Sequence, residues 1–186
     1  MHQKFIVRSC VLVVTCLASA FASFGQAISD RDRGIELFRD GKYAEAVETL
    51  TRALEADKKS RLTRVYLGAS FLKLGKESQA RKTFPTGRFD PKEVGPKYDK
   101  TLRIISKPLA SYTDDARSRN INGTIGVWVE FGGDGKIGFV FPVGNLPYGL
   151  TENAVWAAKN IRFEPAVKDG KPVTSVTYLE YLFSTF

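Results

Sequence analysis

Cysteine and histidine are nearly missing from this chain, and the few present sit together. Cys10, Cys16 and His2 all precede residue 27, so residues 28–186 carry neither a thiol nor an imidazole. That excludes Cys/His zinc sites, cysteine nucleophiles, serine–histidine triads and histidine acid–base chemistry from the stretch. It also excludes disulfides there, so stability has to come from packing. No catalytic, cofactor-binding or metal-ligating residues are assigned, no cofactor is implied, and the chain does not read as an enzyme. Asp114-Asp115 is the one adjacent acidic pair after residue 106, and acids in a helix's first turn need no catalytic role. Gly132-Gly133-Asp134-Gly135 lacks the Lys-Ser/Thr ending of a phosphate loop and leads into a strand. Asp134 and Asp169 offer too few oxygen ligands for calcium. Trp128 and Trp156 have few basic neighbours, so a base-stacking platform and a nucleic-acid partner are set aside.

Long apolar runs are also scarce. The exception is Ser9 to Phe24, preceded by Lys4 and Arg8 and followed by small residues around Ala20–Ala22 and Gly25–Ala27. Residues 1–27 read as an export signal or as a short membrane anchor; the run sits at or under the about 17–25 residues that a span requires. The formal charge of +8 is uneven. Residues 28–105 hold 18 basic and 12 acidic side chains, whereas residues 106–186 hold 8 of each. The middle of the chain is therefore basic and the C-terminal part neutral, and a basic surface suits anionic headgroups or acidic partners.

In residues 28–87, Gly34, Leu37, Gly41, Ala46 and Leu50 recur 34 positions later as Gly68, Phe71, Gly75, Ala80 and Phe84. Apolar residues such as Leu37, Phe38, Val47, Leu50 and Leu54 fall at helical spacing. The period, the small residues at crossing positions and the turn Asp40-Gly41-Lys42-Tyr43-Ala44-Glu45-Ala46 resemble the tetratricopeptide repeat. Two copies are fewer than the three or so that a free-standing array needs. The helices are expected to pack on a partner, on a second copy as a homodimer, or on the C-terminal part. Residues 88–106 read as a linker punctuated by Pro91, Gly95 and Pro96, with a short extended segment at Leu102–Ile105.

From residue 107 the pattern changes to α+β. Thr113 caps a short helix with acids early and arginines late. Ile125, Val127, Val129 and Phe131 alternate as in a strand with one buried face. A glycine-rich turn leads into a returning strand expected to place Ile137, Phe139, Phe141 and Val143 together, ending or meeting an edge at Pro142. Thr151 is expected to cap a helix from Glu152 to about Asn160. Arg162–Ala166, the turn Lys168–Pro172 and a long strand from Val173 to about Phe183 close the chain. The expectation is an antiparallel sheet of about three strands with two short helices, preceded by all-helical hairpins.

This segment resembles the C-terminal domain of the energy transducer TonB. The matching residues are Tyr112, Ala116, Ile121, Gly123, Val127, Val129, Asp134-Gly135, Ala154, Ala158, Arg162-Phe163-Glu164-Pro165-Ala166 and Asp169-Gly170-Lys171-Pro172-Val173, followed by the apolar last strand. One departure is Thr113, where the family usually has proline. The resemblance implies an exported, periplasmic protein that supports energy-coupled transmembrane transport by pairing with a peptide of an outer-membrane receptor or another periplasmic protein. If the first segment remains as an inner-membrane anchor, it further implies contact with an inner-membrane proton-channel complex. The partner-binding residues it implies are Arg117 and the strand residues Thr174, Ser175, Val176, Thr177, Tyr178, Leu179, Glu180 and Tyr181. An exposed strand edge accepts an extended peptide through N–H and C=O groups, with Thr177 and Leu179 expected to present theirs. A core strand with a covered edge is the plain alternative. The transducer's proline-rich spacer is absent, which keeps open a non-transducing scaffold built from the same two modules.

Overall fold

The computed structural model describes residue 26 and residues 29–86 and 98–184. It divides into two compact units, one ending at Pro85 and the other beginning at Thr86. The apolar run near the N-terminus lies outside the described residues, as do residues 87–97. No described helix is long and apolar enough to cross a membrane.

The first unit consists of helices α1 (29–39), α2 (Tyr43–Ala56), α3 (Arg61–Lys73) and α4 (Glu77–Thr83), joined by short turns into two antiparallel hairpins. Gly41 and Gly75 follow α1 and α3 in the left-handed conformation, at φ +77° and +71°. At each, the next amide bonds back to the helix, Lys42 to the Leu37 carbonyl at 2.9 Å and Lys76 to the Phe71 carbonyl at 2.8 Å. The glycine amides bond to Phe38 and Leu72. This paired 6→1 and 5→2 bonding is the Schellman stop, and it requires a residue that tolerates positive φ. Both stops stand 34 positions apart. The crossings repeat likewise: a Cβ on Gly34 would strike Leu50, and one on Gly68 would meet the Phe84 ring at 3.0 Å. Ile35, Phe38, Leu50, Val65 and Tyr66 fill the core between the helices. Ser60 caps α3, its hydroxyl accepting from the Thr63 amide at 3.3 Å.

The second unit runs β1 (Arg103–Ser106), α5 (Asp114–Ser118), β2 (Gly123–Phe131), β3 (Ile137–Val143), α6 (Leu150–Lys159), β4 (Arg162–Glu164), β5 (Ala166–Lys168), β6 (Lys171–Val173) and β7 (Ser175–Phe183). The main sheet has the order β3-β2-β7 and is antiparallel throughout. β2 and β7 stay in register from Gly123↔Phe183 to Phe131↔Ser175. Two smaller pairs, β1-β4 and β5-β6, complete the strands. Residues upstream of 107 take part: β1 pairs with β4, and Lys100 bridges to Val167.

Three local expectations are corrected. β2 is buried at every position from Ile125 to Phe131, not on one face alone. Ile125, Val127, Val129 and Phe131 join Leu150, Ala154, Ala157 and Ala158 of α6 in one core, the alanines letting the helix lie close. On the opposite face Trp128 packs on Tyr178, ring centroids 5.1 Å apart, and stands across from Phe141. The β3 residues do not share a face, because the register shifts between the Val129 and Phe131 pairings. That bulge puts Ile137 and Val140 against the helix-side core while Phe141 faces the same way as Trp128. Thr151 does not cap α6. The helix starts at Leu150 after Gly149 at φ +79°, and the Thr151 hydroxyl instead accepts from the Leu146 amide at 2.8 Å, bracing the preceding loop.

Candidate functional site: the outer edge of the last strand

β7 has β2 on one side and no described strand on the other. Three observations fix which backbone groups face outward. Val127 stands opposite Pro142, which has no N–H, so Val127 spends its backbone groups on β7. The Gly132 amide bonds to the Lys136 carbonyl, so even-numbered β2 residues face β3 and odd-numbered ones face β7. Independently, the Lys107 ammonium donates to the Glu180 carbonyl at 2.6 Å, which puts that carbonyl on the outer side. In an antiparallel pair each residue's N–H and C=O point the same way. Ser175, Thr177, Leu179 and Tyr181 therefore bond to β2, and Val176, Tyr178, Glu180 and Leu182 direct their backbone groups outward.

The sequence expectation that Thr177 and Leu179 present their N–H groups at the open edge is thus off by one residue. Backbone direction follows pairing register, which depends on a partner strand 44 to 60 residues away. The outward set places its side chains on the Trp128 face: a Cβ on Gly126 would run into the Tyr178 hydroxyl. The inward set faces the core, where Tyr181 is buried. Leu182, in the outward set, is 75 % exposed. Thr174 precedes β7, its hydroxyl accepting from the Gly133 amide at 3.3 Å. Arg117 lies at the other end. Its guanidinium sits 5.3 Å from the Tyr112 ring centroid, and Tyr112 meets Phe183 edge-on at 6.1 Å. Nine strand residues at about 3.3 Å each separate the two ends, so Arg117 and Thr174 stand at opposite ends of β7.

Lys107 is the residue that sequence reasoning did not single out. Besides its bond to Glu180, its ammonium lies 4.5 Å from the Tyr181 ring centroid. Burial holds its pKa below the usual lysine value, offset in part by Glu180. Burial pushes the Tyr181 hydroxyl up to about 12, and raises Tyr178 with a smaller contribution from Glu180. A lone lysine before proline carries no sequence signal for this role. Its position emerges only when β1 and β7 are both placed. Among the described residues no cluster of His, Cys, Asp and Glu is arranged to hold a metal ion.

Residues 108–185 match the family model described as Gram-negative bacterial TonB protein C-terminal, so a TonB C-terminal-like domain occupies about the last 80 residues. Among solved structures, the solution NMR structure of Pseudomonas aeruginosa TonB CTD is similar at 25% identity and a TM-score of 0.39, over 47% of this chain and 89% of that one. No curated protein matches the chain.

Proposed function

We propose that the C-terminal unit is a periplasmic docking module that takes an extended peptide of an outer-membrane transport receptor along the outer edge of β7, in support of energy-coupled transport. The observation that carries this reading is the outward row at Val176, Tyr178 and Glu180, within the stretch that matches the TonB C-terminal model. Val176 and Tyr178 each offer one donor and one acceptor, and Glu180 offers its N–H, its carbonyl being held by Lys107. Five backbone bonds at about 0.5–1.5 kcal/mol net each give modest affinity once ordering costs are met. Side-chain contacts at Leu182 and on Tyr178 would supply selectivity. Arg117 would reach the end of the segment beside Phe183. Amide exchange on the full chain tests this: a receptor-derived peptide should protect the Val176, Tyr178 and Glu180 amides and leave Thr177 and Leu179 unchanged. Protection elsewhere with none on β7 would reject it.

A non-transducing scaffold is the second reading, favoured by the compact helices that stand before the module. In that reading the tetratricopeptide-like helices recruit a protein and the C-terminal unit serves only as a contact domain. Restoration of receptor-dependent uptake in cells lacking their own transducer separates the two: the first reading expects it, the second does not.

A further inference from the structure

The two helical hairpins carry opposite charge. Residues 29–57 hold five basic and eight acidic side chains, and residues 58–86 hold eight basic and one acidic, so the net charges are −3 and +7. The imbalance is concentrated at one end of the unit. Lys58, Lys59, Arg61 and Arg64 fall within the α2–α3 turn and the first turn of α3, with no acid among residues 58–64. Lys58 and Lys59 are exposed, and the Arg64 guanidinium bonds to the Lys58 carbonyl at 3.1 Å, gathering the group. Asp57, the nearest acid, is engaged by the Lys59 amide at 3.1 Å. Elsewhere at this end, Asp32 pairs with Arg31 at 2.8 Å and Asp30 lies 3.7 Å from Arg52, while Glu55 is exposed at the end of α2.

We propose that this end of the helical unit docks on anionic phospholipid headgroups. Clusters of four or more Lys and Arg bind such surfaces at about 1 kcal/mol per basic residue close to the membrane. The chain's own connectivity favours a membrane over an acidic protein. The Asp30–Arg52 contact shows that α1 begins beside the last turns of α2, so the start of the unit lies at the same end as the basic turn. The chain reaches that end directly from the apolar run Ser9–Phe24, only a few residues before α1. Where that run stays attached as a membrane anchor, the basic turn lies at the end of the unit joined nearest to it. The turn itself, Asp57-Lys58-Lys59-Ser60, is polar throughout, whereas a peptide helix is held in an apolar groove.

Flotation of the full chain with phosphatidylcholine vesicles, with and without phosphatidylglycerol, tests the proposal. Anionic vesicles should retain more protein than zwitterionic ones, and the excess should disappear at high salt. Lys58→Glu with Lys59→Glu should cut the anionic excess at least tenfold. Lys42→Glu with Lys76→Glu makes the same charge change at the opposite end of the unit and should leave the excess within about twofold. Circular dichroism and thermal melting confirm that both pairs stay folded. Equal loss from the two pairs, or equal retention on both vesicle types, would overturn the proposal. So would capture by immobilised polyglutamate with no anionic excess on vesicles, which would assign the turn to an acidic protein instead.

Discussion

In the helical unit, residues that touch are near in sequence. Gly34 meets Leu50 and Gly68 meets Phe84, sixteen positions on in each hairpin. In the C-terminal unit the central strand β2 pairs with β7 across 44 to 60 residues. The first unit repeats one local solution and carries strong, unequal charge; the second assembles distant segments and is electrically balanced after residue 106. The contrast separates the two proposed interaction surfaces. A charged turn works through the number of its side chains, so it tolerates local rearrangement. A strand edge works through backbone groups whose direction is fixed by register, so a shift of one residue turns donors inward.

The largest effects should come from breaking one core while leaving the other. Phe131, fully buried and edge-on to Phe163 at 4.8 Å, should cost about 3–5 kcal/mol as Phe131→Ala. Leu50→Ala should cost about 2–5 kcal/mol in the helical unit. In thermal unfolding each substitution should lower one transition and spare the other; if both transitions move together, the units are not independent.

Removing β1 is expected to do less. Leu102 and Ile104 pack against the C-terminal core, so a fragment starting at residue 107 should be roughly 1–3 kcal/mol less stable than one starting at residue 98. Equal denaturant midpoints would show that β1 only decorates the domain.

A smaller, pH-dependent effect concerns Glu164. Hydrogen bonds from Arg103 and then Lys100 hold its carboxyl down at about 2. A depressed carboxylate stabilises the fold above its unfolded pKa of about 4.3, and that contribution is lost as pH falls towards 2. Glu164→Gln should flatten the stability profile between about pH 4.5 and 2; an unchanged slope there would remove Glu164 from the account. The smallest effect is expected at the edge lysine. Lys107→Ala frees the Glu180 carbonyl and should tighten peptide binding about two- to fivefold, since one displaced bond is worth about 0.5–1 kcal/mol. Weaker binding would show that Lys107 contacts the peptide.

Much of this architecture was legible in the sequence wherever the physics is local. The 34-residue period put Gly41 and Gly75 at helix ends, and Thr113 does cap α5, its hydroxyl accepting from the Ala116 amide at 3.2 Å. The turn Asp169-Gly170 takes positive φ at both residues, as a two-residue hairpin requires. What alternation could not give was the second covered face of β2, since Trp128 is buried by Tyr178 from a strand far along the chain. Nor could it give the bulge that separates Ile137 from Phe141. The candidate strand was identified from its apolar character, but its outward residues required the position of Pro142 opposite Val127.

The central claim is that peptides dock on the outward row of β7, and proline substitution at outward positions tests it most directly. Val176→Pro and Glu180→Pro each remove an N–H that β2 does not use, so the fold should survive. Thr177→Pro removes one that β2 does use and should destabilise the domain instead. With a receptor-derived peptide titrated by calorimetry, the two outward variants should bind about ten- to a hundredfold more weakly, from a lost bond and an unpaired acceptor worth about 1–3 kcal/mol. If both remain folded and bind like the parent chain, β7 is not the docking edge.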